Sequence, residues 1–206
     1  MYKLAVFVSG RGSNLKAIHN QIVNGSLNAE ISVVVSNSQN AKAIDFAKEQ
    51  NITFYIISKE KGEEFFVTYE ELTDKLVLKN INLIVLAGFL KKIPSELIVK
   101  FRHRIINIHP ALLPSFGGKG MYGINVHQAV FNSSAKVSGA TIHFVDEIYD
   151  NGKIIAQQSV DISDVASPEE ISERVLKIEH ELLPNTIKKF VENKIKITEN
   201  RIFIDS

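Results

Sequence analysis

Near its start the sequence contains Leu4-Ala-Val-Phe-Val-Ser9-Gly-Arg-Gly-Ser-Asn14, in which five apolar residues precede a turn with two glycines. A short apolar run bounded by a turn signal is typical of a buried strand. Ser13 lies where a helix would begin. The glycines let the backbone turn tightly and approach a ligand closely. This stretch therefore predicts a strand, a close turn and a helix in succession.

The same alternation continues through the first half of the chain. The predicted strands cover residues 4–8, 31–35, 53–57, 83–86 and 104–108, and the predicted helices cover 13–23, 41–50, 63–79 and 95–101. Short apolar strands alternating with helices favour an α/β fold with a doubly wound, mostly parallel sheet. Ligands bind such sheets at the carboxyl ends of the strands. Residues 9–14, 88–91 and 107–110 are all expected at that edge.

The pattern changes after Pro110. Residues 113–124 contain Pro114 and four glycines, which predicts a mobile surface loop. A helix near 125–132 and two β-rich segments near 136–145 and 153–160 follow. The short turn between the two segments predicts antiparallel strands in this C-terminal half.

The end of the chain predicts a late helix and a small hairpin. The helix begins near Ser167-Pro-Glu-Glu170, and Pro184 could kink or split it. Residues 194–198 and 201–204 have the pattern of a terminal hairpin. Because the sequence shows no linker or repeat, we predict a single domain over residues 1–206.

Composition excludes several classes of protein. The chain has no cysteine, so it can form no disulfide, thiolate metal site or cysteine nucleophile. Its formal net charge of +1 gives no general electrostatic reason for a nucleic-acid or membrane partner. The apolar runs are too short for a signal peptide or a membrane span. We expect a cytoplasmic protein without a metal site, because no spacing is typical of zinc ligands.

The run Asn107-Ile-His-Pro-Ala-Leu-Leu-Pro114 carries the clearest chemical pattern. On an extended strand, Asn107 and His109 point to the same side. A carbonyl carbon under attack needs such a pair, since both groups can donate hydrogen bonds to the developing oxyanion. Taken alone, the two residues favour the ordinary interpretation, an asparagine at a strand end and a structural histidine.

The glycine-rich turn at residues 9–14 is a candidate phosphate site, because the first N–H groups of a helix attract anions. Leu15 replaces the third glycine of a dinucleotide fingerprint, and no Walker motif follows. An ordinary strand-to-helix turn, capped by Ser13 or Asn14, is the alternative. Gly88 could likewise admit a planar ligand, or Phe89 could simply face the core.

Two further segments supply acids and an imidazole. Residues 138–146 contain His143 and Asp146, and Asp150 begins an Asp-Asn-Gly sequence. A carboxylate beside an imidazole favours the imidazolium, although Asp-Asn-Gly is also an ordinary turn. Three other histidines, His19, His103 and His127, are expected at the surface or at helix ends.

Taken together, these segments resemble the phosphoribosylglycinamide formyltransferases, the folate-dependent enzymes of purine biosynthesis. The resemblance extends from about residue 3 to residue 190. It rests on Ser9-Gly-Arg-Gly-Ser-Asn14, Leu86-Ala-Gly-Phe89, Asn107-Ile-His-Pro-Ala-Leu-Leu-Pro114, Gly139-Ala-Thr-Ile-His-Phe144 and Asp150 before Gly152.

The resemblance implies a Rossmann-like formyltransferase fold, small-molecule substrates, and 10-formyltetrahydrofolate as co-substrate with no metal. The implied catalytic residues are Asn107, His109 and Asp150. The implied contacts to glycinamide ribonucleotide are Gly12, Ser13, Asn14 and Glu179. The implied folate contacts are Leu90, Lys91, Lys92, Ile93, Asn107, His143 and Asp146. Many members carry an arginine that touches the folate tail where this chain has Phe66.

In the implied reaction the substrate amine attacks the formyl carbon directly. Asn107 and the His109 imidazolium would stabilise the oxyanion, and Asp150 would raise the pKa of His109 and extend the imidazolium to higher pH. The alternatives are a methionyl-tRNA formyltransferase, which would need a basic tRNA-binding domain, a formyltetrahydrofolate hydrolase, and a non-catalytic phosphate binder. The sequence leaves the oligomeric state open.

Overall fold

Parallel strands form the centre of Met1–Ile106, the first of two units in this computed structural model. The structure describes residues 1–59 and 65–205. The strands are β1 (Tyr2–Phe7), β2 (Ala29–Ser36), β3 (Phe54–Ile57), β4 (Phe66–Val67), β5 (Leu83–Leu86) and the start of β6 (Ile105–His109). In the order β4-β3-β2-β1-β5 every neighbouring pair is parallel. All four residues of β5 are buried, as in the interior of a parallel sheet.

Four helices connect these strands. They are α1 (Ser13–Val23), α2 (Lys42–Glu49), α3 (Tyr69–Leu78) and α4 (Ser95–Lys100). In α1, α2 and α3 the buried residues recur three or four positions apart, as in Leu15 with Ile18 and Leu72 with Leu76. This spacing gives each of these helices one apolar face for the core.

The prediction of a helix over residues 63–79 is wrong about where the helix begins. Residues 63 and 64 of that range lie outside the described residues. Phe66 and Val67 instead form β4 beside β3. Thr68 then caps α3: its hydroxyl accepts the Glu71 N–H at 3.3 Å, and the Glu71 carboxylate accepts the Thr68 N–H at 3.1 Å. This capping box fixes the helix start at residue 69, which the acidic residues further upstream obscured in the sequence.

The strand order reverses at β1, which has β2 on one side and β5 on the other. Such a reversal is where doubly wound sheets bind their ligands. The Ser9 N–H donates to the Gly88 carbonyl at 3.0 Å, so the loops that follow β1 and β5 are in direct contact.

The second unit, Asn107–Ser206, contains the end of β6 and the antiparallel pair β7 (Val137–Phe144) and β8 (Ile154–Asp161), in the order β6-β7-β8. Its helices are α5 (Ile124–Asn132) and α6 (Pro168–Val191), and β9 (Ile195–Ile197) and β10 (Ile202–Ile204) form the predicted terminal hairpin. Helix α6 is one element of 24 residues that contains Pro184, so Pro184 does not split it.

The predicted fold class is confirmed: a mostly parallel sheet with antiparallel strands in the C-terminal half. A single domain over residues 1–206 stays a prediction. Across residues 1–59 and 65–205, no helix combines the length and the apolar character needed to cross a membrane.

Candidate active site

The turn after β1 exposes the start of helix α1. Gly12 is the N-cap residue, with a φ of 74°, and as a glycine it has no side chain to cap the helix. A Cβ added at Gly12 would lie 3.0 Å from the Ala43 Cβ, so this position needs glycine for conformation and for space. Neither Ser13 nor Asn14 caps the helix. The first turn of α1 therefore keeps the electrostatic character that attracts an anion.

Ser9 links three loops of the first unit. Its hydroxyl donates to the Asn37 side-chain oxygen at 2.5 Å and accepts the Leu90 N–H at 2.8 Å. In the sequence, Ser9 is visible only as part of the glycine-rich turn, and no local signal indicates this second role. The hydroxyl thereby fixes the backbone of Leu90, the first residue of the predicted folate wall.

The predicted folate wall combines exposed and buried residues. Leu90 is 52% exposed, and the side chains of Lys91 and Lys92 are also exposed. Ile93 is buried, which suits a supporting position beneath the wall. Phe89 faces the core, where its ring meets Phe7 edge to face at a centroid distance of 5.3 Å.

Asn107 and His109 lie two residues apart on β6 in the second unit. The Asn107 Nδ2 lies 3.0 Å from the His143 Nε2. Since the His143 Nδ1–H donates to the Phe144 carbonyl at 2.8 Å, the His143 Nε2 lone pair is available to accept from Asn107. His143 therefore orients the Asn107 amide, a role that sequence analysis did not assign to it.

His109 is almost completely buried, and acceptors face both of its ring nitrogens. Its Nε2–H donates to the Phe116 carbonyl at 2.8 Å, and its Nδ1 lies 3.6 Å from the Asp150 Oδ2. The Asp150 Oδ1 lies 3.6 Å from the His143 Nε2, and the Gly118 N–H donates to the Asp150 Oδ2 at 2.9 Å. The structure thus brings the predicted catalytic residues Asn107, His109 and Asp150 together around His143.

Charge and burial act against each other at His109. Burial lowers the pKa of His109 below its ordinary value of 6.5, and it outweighs Asp150 and the Phe116 carbonyl, which raise it. Burial alone would raise the pKa of Asp150, but the neighbouring His143 ring, the His109 charge and the Gly118 N–H hold it below 3.8. Asp150 therefore raises the pKa of His109, as predicted, but burial outweighs it and the net pKa lies below 6.5.

Replacing Asp150 by asparagine is expected to lower the pKa of His109 further. Burial remains in this variant, while the attraction between the carboxylate and the imidazolium disappears. NMR titration of the His109 ring in wild type and Asp150→Asn measures the change. Asp146→Asn is the matched control, because Asp146 bonds the Ile148 N–H within its own loop. An unchanged or raised midpoint in Asp150→Asn would contradict the prediction.

His127 is a buried member of the second unit, so the prediction of a surface or helix-end position is wrong. Its side chain lies on the inner face of α5 with Val126 and Val130, and it is only 4% exposed. Burial first, and then repulsion from the His109 charge, lowers the pKa of His127 to about 4. The helical spacing of His127 and Val130 could have indicated this inner face.

Because the unfolded chain binds a proton at His127 near pH 6.5 and the folded chain only near pH 4, this residue contributes stability above pH 6.5 that is lost as the pH falls. After allowance for solvent screening, we expect His127 to account for about 1 to 2 kcal/mol of lost unfolding free energy between pH 7 and pH 5. Urea unfolding at both pH values tests this. His127→Gln should lose less stability over that interval, and His19→Gln should behave as wild type. Equal acid sensitivity of His127→Gln and wild type would refute the effect.

The remaining predicted contacts lie in the second unit. The Asp146 carboxylate accepts the Ile148 N–H at 2.8 Å and the Asn151 Nδ2–H at 3.4 Å, so it closes its own loop. Glu179 is buried within α6. In the described part of the chain, no group of three or more histidine or acidic side chains could hold a metal ion.

With the fold and the convergent amide, imidazoles and carboxylate in place, comparison with known proteins identifies the class. The family model described as formyl transferase matches residues 2–187, and the chain belongs to this family. Relatives named phosphoribosylglycinamide formyltransferase include the chloroplastic protein of Arabidopsis thaliana, which is 44% identical over 97% of this chain and 69% of its own length. The Bacillus subtilis protein of the same name is 35% identical over 93% and 95% of the two chains.

A solved structure gives the same result. The crystal structure of glycinamide ribonucleotide transformylase 1 from Symbiobacterium toebii has a TM-score of 0.89 and 28% identity, and the match covers 100% of this chain and 95% of that one. The family resemblance predicted from the motifs is therefore confirmed.

Proposed function

We propose that this protein transfers the formyl group of 10-formyltetrahydrofolate to the primary amine of glycinamide ribonucleotide, a step of purine biosynthesis. The observation that carries the proposal is the convergence of Asn107, His109 and Asp150, with His143 between the amide and the carboxylate. The similarity to proteins named for this reaction supports the same substrates. Both substrates are small molecules, and the formyl-folate is a co-substrate.

The site has two donors for the oxyanion that forms when the amine attacks the formyl carbon. Asn107 gives one amide hydrogen to His143 and keeps the other for the substrate. The Phe116 carbonyl fixes the His109 ring through Nε2–H. When the ring is protonated, its Nδ1–H lies beyond hydrogen-bond distance of Asp150 and can donate to the oxyanion, whose developing negative charge itself favours the imidazolium. The donor on the charged ring gives the stronger hydrogen bond.

Asp150 has two roles in this mechanism. Its low pKa keeps it ionised near neutral pH, so its charge stabilises the His109 imidazolium. The same carboxylate can accept the proton that the amine loses on attack, directly or through water, and return it to the folate N10 as the oxyanion collapses and the bond between N10 and the formyl carbon breaks. No covalent enzyme intermediate is needed, because the substrate amine is itself the nucleophile.

The substrate contacts follow from the resemblance and the local structure. Gly12, Ser13 and Asn14 would bind the phosphate at the uncapped start of α1, and Glu179 would bind the glycinamide end. Leu90, Lys91, Lys92, Ile93, Asn107, His143 and Asp146 would contact the folate. Phe66 lies in β4 and offers no charge to the folate tail, so the exposed ammonium groups of Lys91 and Lys92 are the proposed substitutes.

An absorbance assay tests the proposed function directly. It follows loss of a formyl-folate analogue with and without glycinamide ribonucleotide. Turnover that requires the ribonucleotide supports the transferase and identifies both substrates. Turnover without it would favour a formyltetrahydrofolate hydrolase. Folded protein that is inactive in both assays would overturn the proposal in favour of another acceptor or a binding protein.

Ser9→Ala is expected to raise the KM for the formyl-folate several-fold while changing the KM for the ribonucleotide little. The variant removes the acceptor of the Leu90 N–H and the donor to Asn37, but it leaves Gly12 and the start of α1 intact. Loss of one hydrogen bond corresponds to about a two- to tenfold change in affinity. Ser32→Ala is the control, because the Ser32 hydroxyl bonds Glu30 within β2. A change confined to the ribonucleotide KM would assign Ser9 to the phosphate site instead.

The cytoplasmic location also remains a proposal. It rests on composition, and the plant relatives are named as chloroplastic proteins.

A further inference from the structure

Thr141, which is buried, and Gln157, which is exposed, form a polar pair in the second unit. They are register partners on β7 and β8, so their side chains share one face of the antiparallel pair. The Gln157 Nε2 donates to the Thr141 Oγ1 at 3.0 Å, and Thr141 is completely buried. The mechanism described above uses neither side chain.

The Thr141–Gln157 pair bonds the backbone that follows His109. The Thr141 hydroxyl donates to the Ala111 carbonyl at 2.6 Å and accepts the Leu113 N–H at 3.0 Å. The Gln157 Nε2 also donates to the Leu113 carbonyl at 2.9 Å. A hydroxyl has one donor and two acceptor sites, and all three of those on Thr141 are used. The pair therefore fixes both polar groups of Leu113 and the carbonyl of Ala111.

This bonded backbone leads directly to the group that holds His109. Phe116 is three residues beyond Leu113, has a φ of 57°, and accepts the His109 Nε2–H through its carbonyl. An aromatic residue in this left-handed region is strained, so its conformation needs support from its surroundings. The bonds to Leu113 anchor the chain on one side of Phe116, and the Gly118 N–H bond to Asp150 anchors it on the other.

We propose that Gln157, together with Thr141, is a positioning residue for the formyl transfer: the pair fixes Leu113 so that the Phe116 carbonyl holds the His109 ring. This inference rests on the proposed function and deepens it. Gln157 touches neither His109 nor the proposed reacting atoms, and it acts through the backbone of residues 113–116.

The experiment compares Gln157→Met with wild type, because methionine keeps the side-chain length and removes both hydrogen bonds. We expect kcat to fall about tenfold, with little change in the KM for glycinamide ribonucleotide. The NMR titration midpoint of His109 should also move to lower pH, since the Phe116 carbonyl is one of the groups that favour the imidazolium. The other titratable groups that interact with this ring, Asp150, His143 and His127, remain unchanged.

Two substitutions at Thr141 separate positioning from simple stability. Thr141→Ser keeps the hydroxyl, so its kcat and the titration midpoint of His109 should both stay close to the wild-type values. Thr141→Val keeps the shape without the hydroxyl and should resemble Gln157→Met. Thermal unfolding of each variant shows the folded fraction at the assay temperature.

The proposal is overturned if Gln157→Met is folded and keeps both kcat within twofold and the wild-type midpoint of His109. A kcat loss that matches the loss of folded protein would also overturn it. The titration needs no substrate, so it tests the positioning of His109 independently of turnover. Absence of turnover by wild type with glycinamide ribonucleotide would refute the proposed function and not the positioning of His109.

Discussion

Replacement of His109 by alanine, or of Asn107 by alanine, is expected to reduce turnover about a hundredfold or more while the protein stays folded. Each change removes one of the two donors proposed for the oxyanion. Asn107→Ala also leaves the His143 Nε2 without its donor, and His109→Ala removes the charge that Asp150 faces. Steady-state kcat with both substrates at saturation is the measurement.

Controls separate chemistry from packing in these variants. His109 is nearly fully buried, so His109→Ala also leaves a cavity. His109→Gln fills more of that space and keeps a donor but cannot carry the positive charge, and it should remain strongly impaired. His19→Gln lies outside the site and should keep full turnover. Near-normal kcat in purified Asn107→Ala or His109→Ala would refute the assignment of that residue as a hydrogen-bond donor to the oxyanion.

The double variant gives a further test. If Asn107 and His109 act on the same oxyanion, their effects should be non-additive, because groups that stabilise one transition state work as a unit. Multiplicative losses would instead indicate independent roles. The comparison uses the same assay as the single variants.

The alternation of strands and helices predicted the parallel sheet, because each buried strand of the first unit is a short apolar run and is followed by a turn or a helix. Residues 66–68 were not predictable in this way. Phe66 and Val67 are extended because β3 offers them an open edge, and Thr68 begins the helix through its bonds with Glu71. Neither the edge nor the capping geometry shows as a period in the sequence.

The convergence of Asn107, His109 and Asp150 was foreseen through the family motifs, but the role of His143 was not. Asn107 and His143 are 36 positions apart, and their contact depends on strand pairing that local sequence does not encode. The net pKa shift of His109 was missed for a related reason. The carboxylate partner is visible in the sequence, whereas the depth of burial that outweighs it is a property of the packed structure.

Gly152→Ala is expected to cause the largest structural loss among single methyl additions near the site. An added Cβ would lie 1.7 Å from the Phe144 carbonyl oxygen and 2.7 Å from its carbon. These are backbone atoms, so no side-chain rotation relieves the overlap. We expect a loss of about 3 kcal/mol or more in unfolding free energy, which corresponds to roughly 6 to 12 °C in Tm for a chain of this size.

The same overlap should reduce activity beyond the loss of stability. The Phe144 carbonyl accepts the His143 Nδ1–H, and Gly152 is two residues from Asp150. A shift on either side of the contact therefore disturbs His143, Asp150 or both, and through His143 the orientation of Asn107. We expect kcat to fall at least tenfold at temperatures where the variant is still folded.

Gly10→Ala is the matched control for stability, because an added Cβ there meets no atom within 4 Å. Its Tm should stay within about 2 °C of wild type, as for most surface substitutions. Thermal unfolding of both variants, followed by kcat for Gly152→Ala below its Tm, completes the test. The prediction is contradicted if Gly152→Ala has the Tm of Gly10→Ala and wild-type kcat. That result would mean that the turn after Asp150 can move away from Phe144 without disturbing His143. The close contact would then have no part in orienting the site.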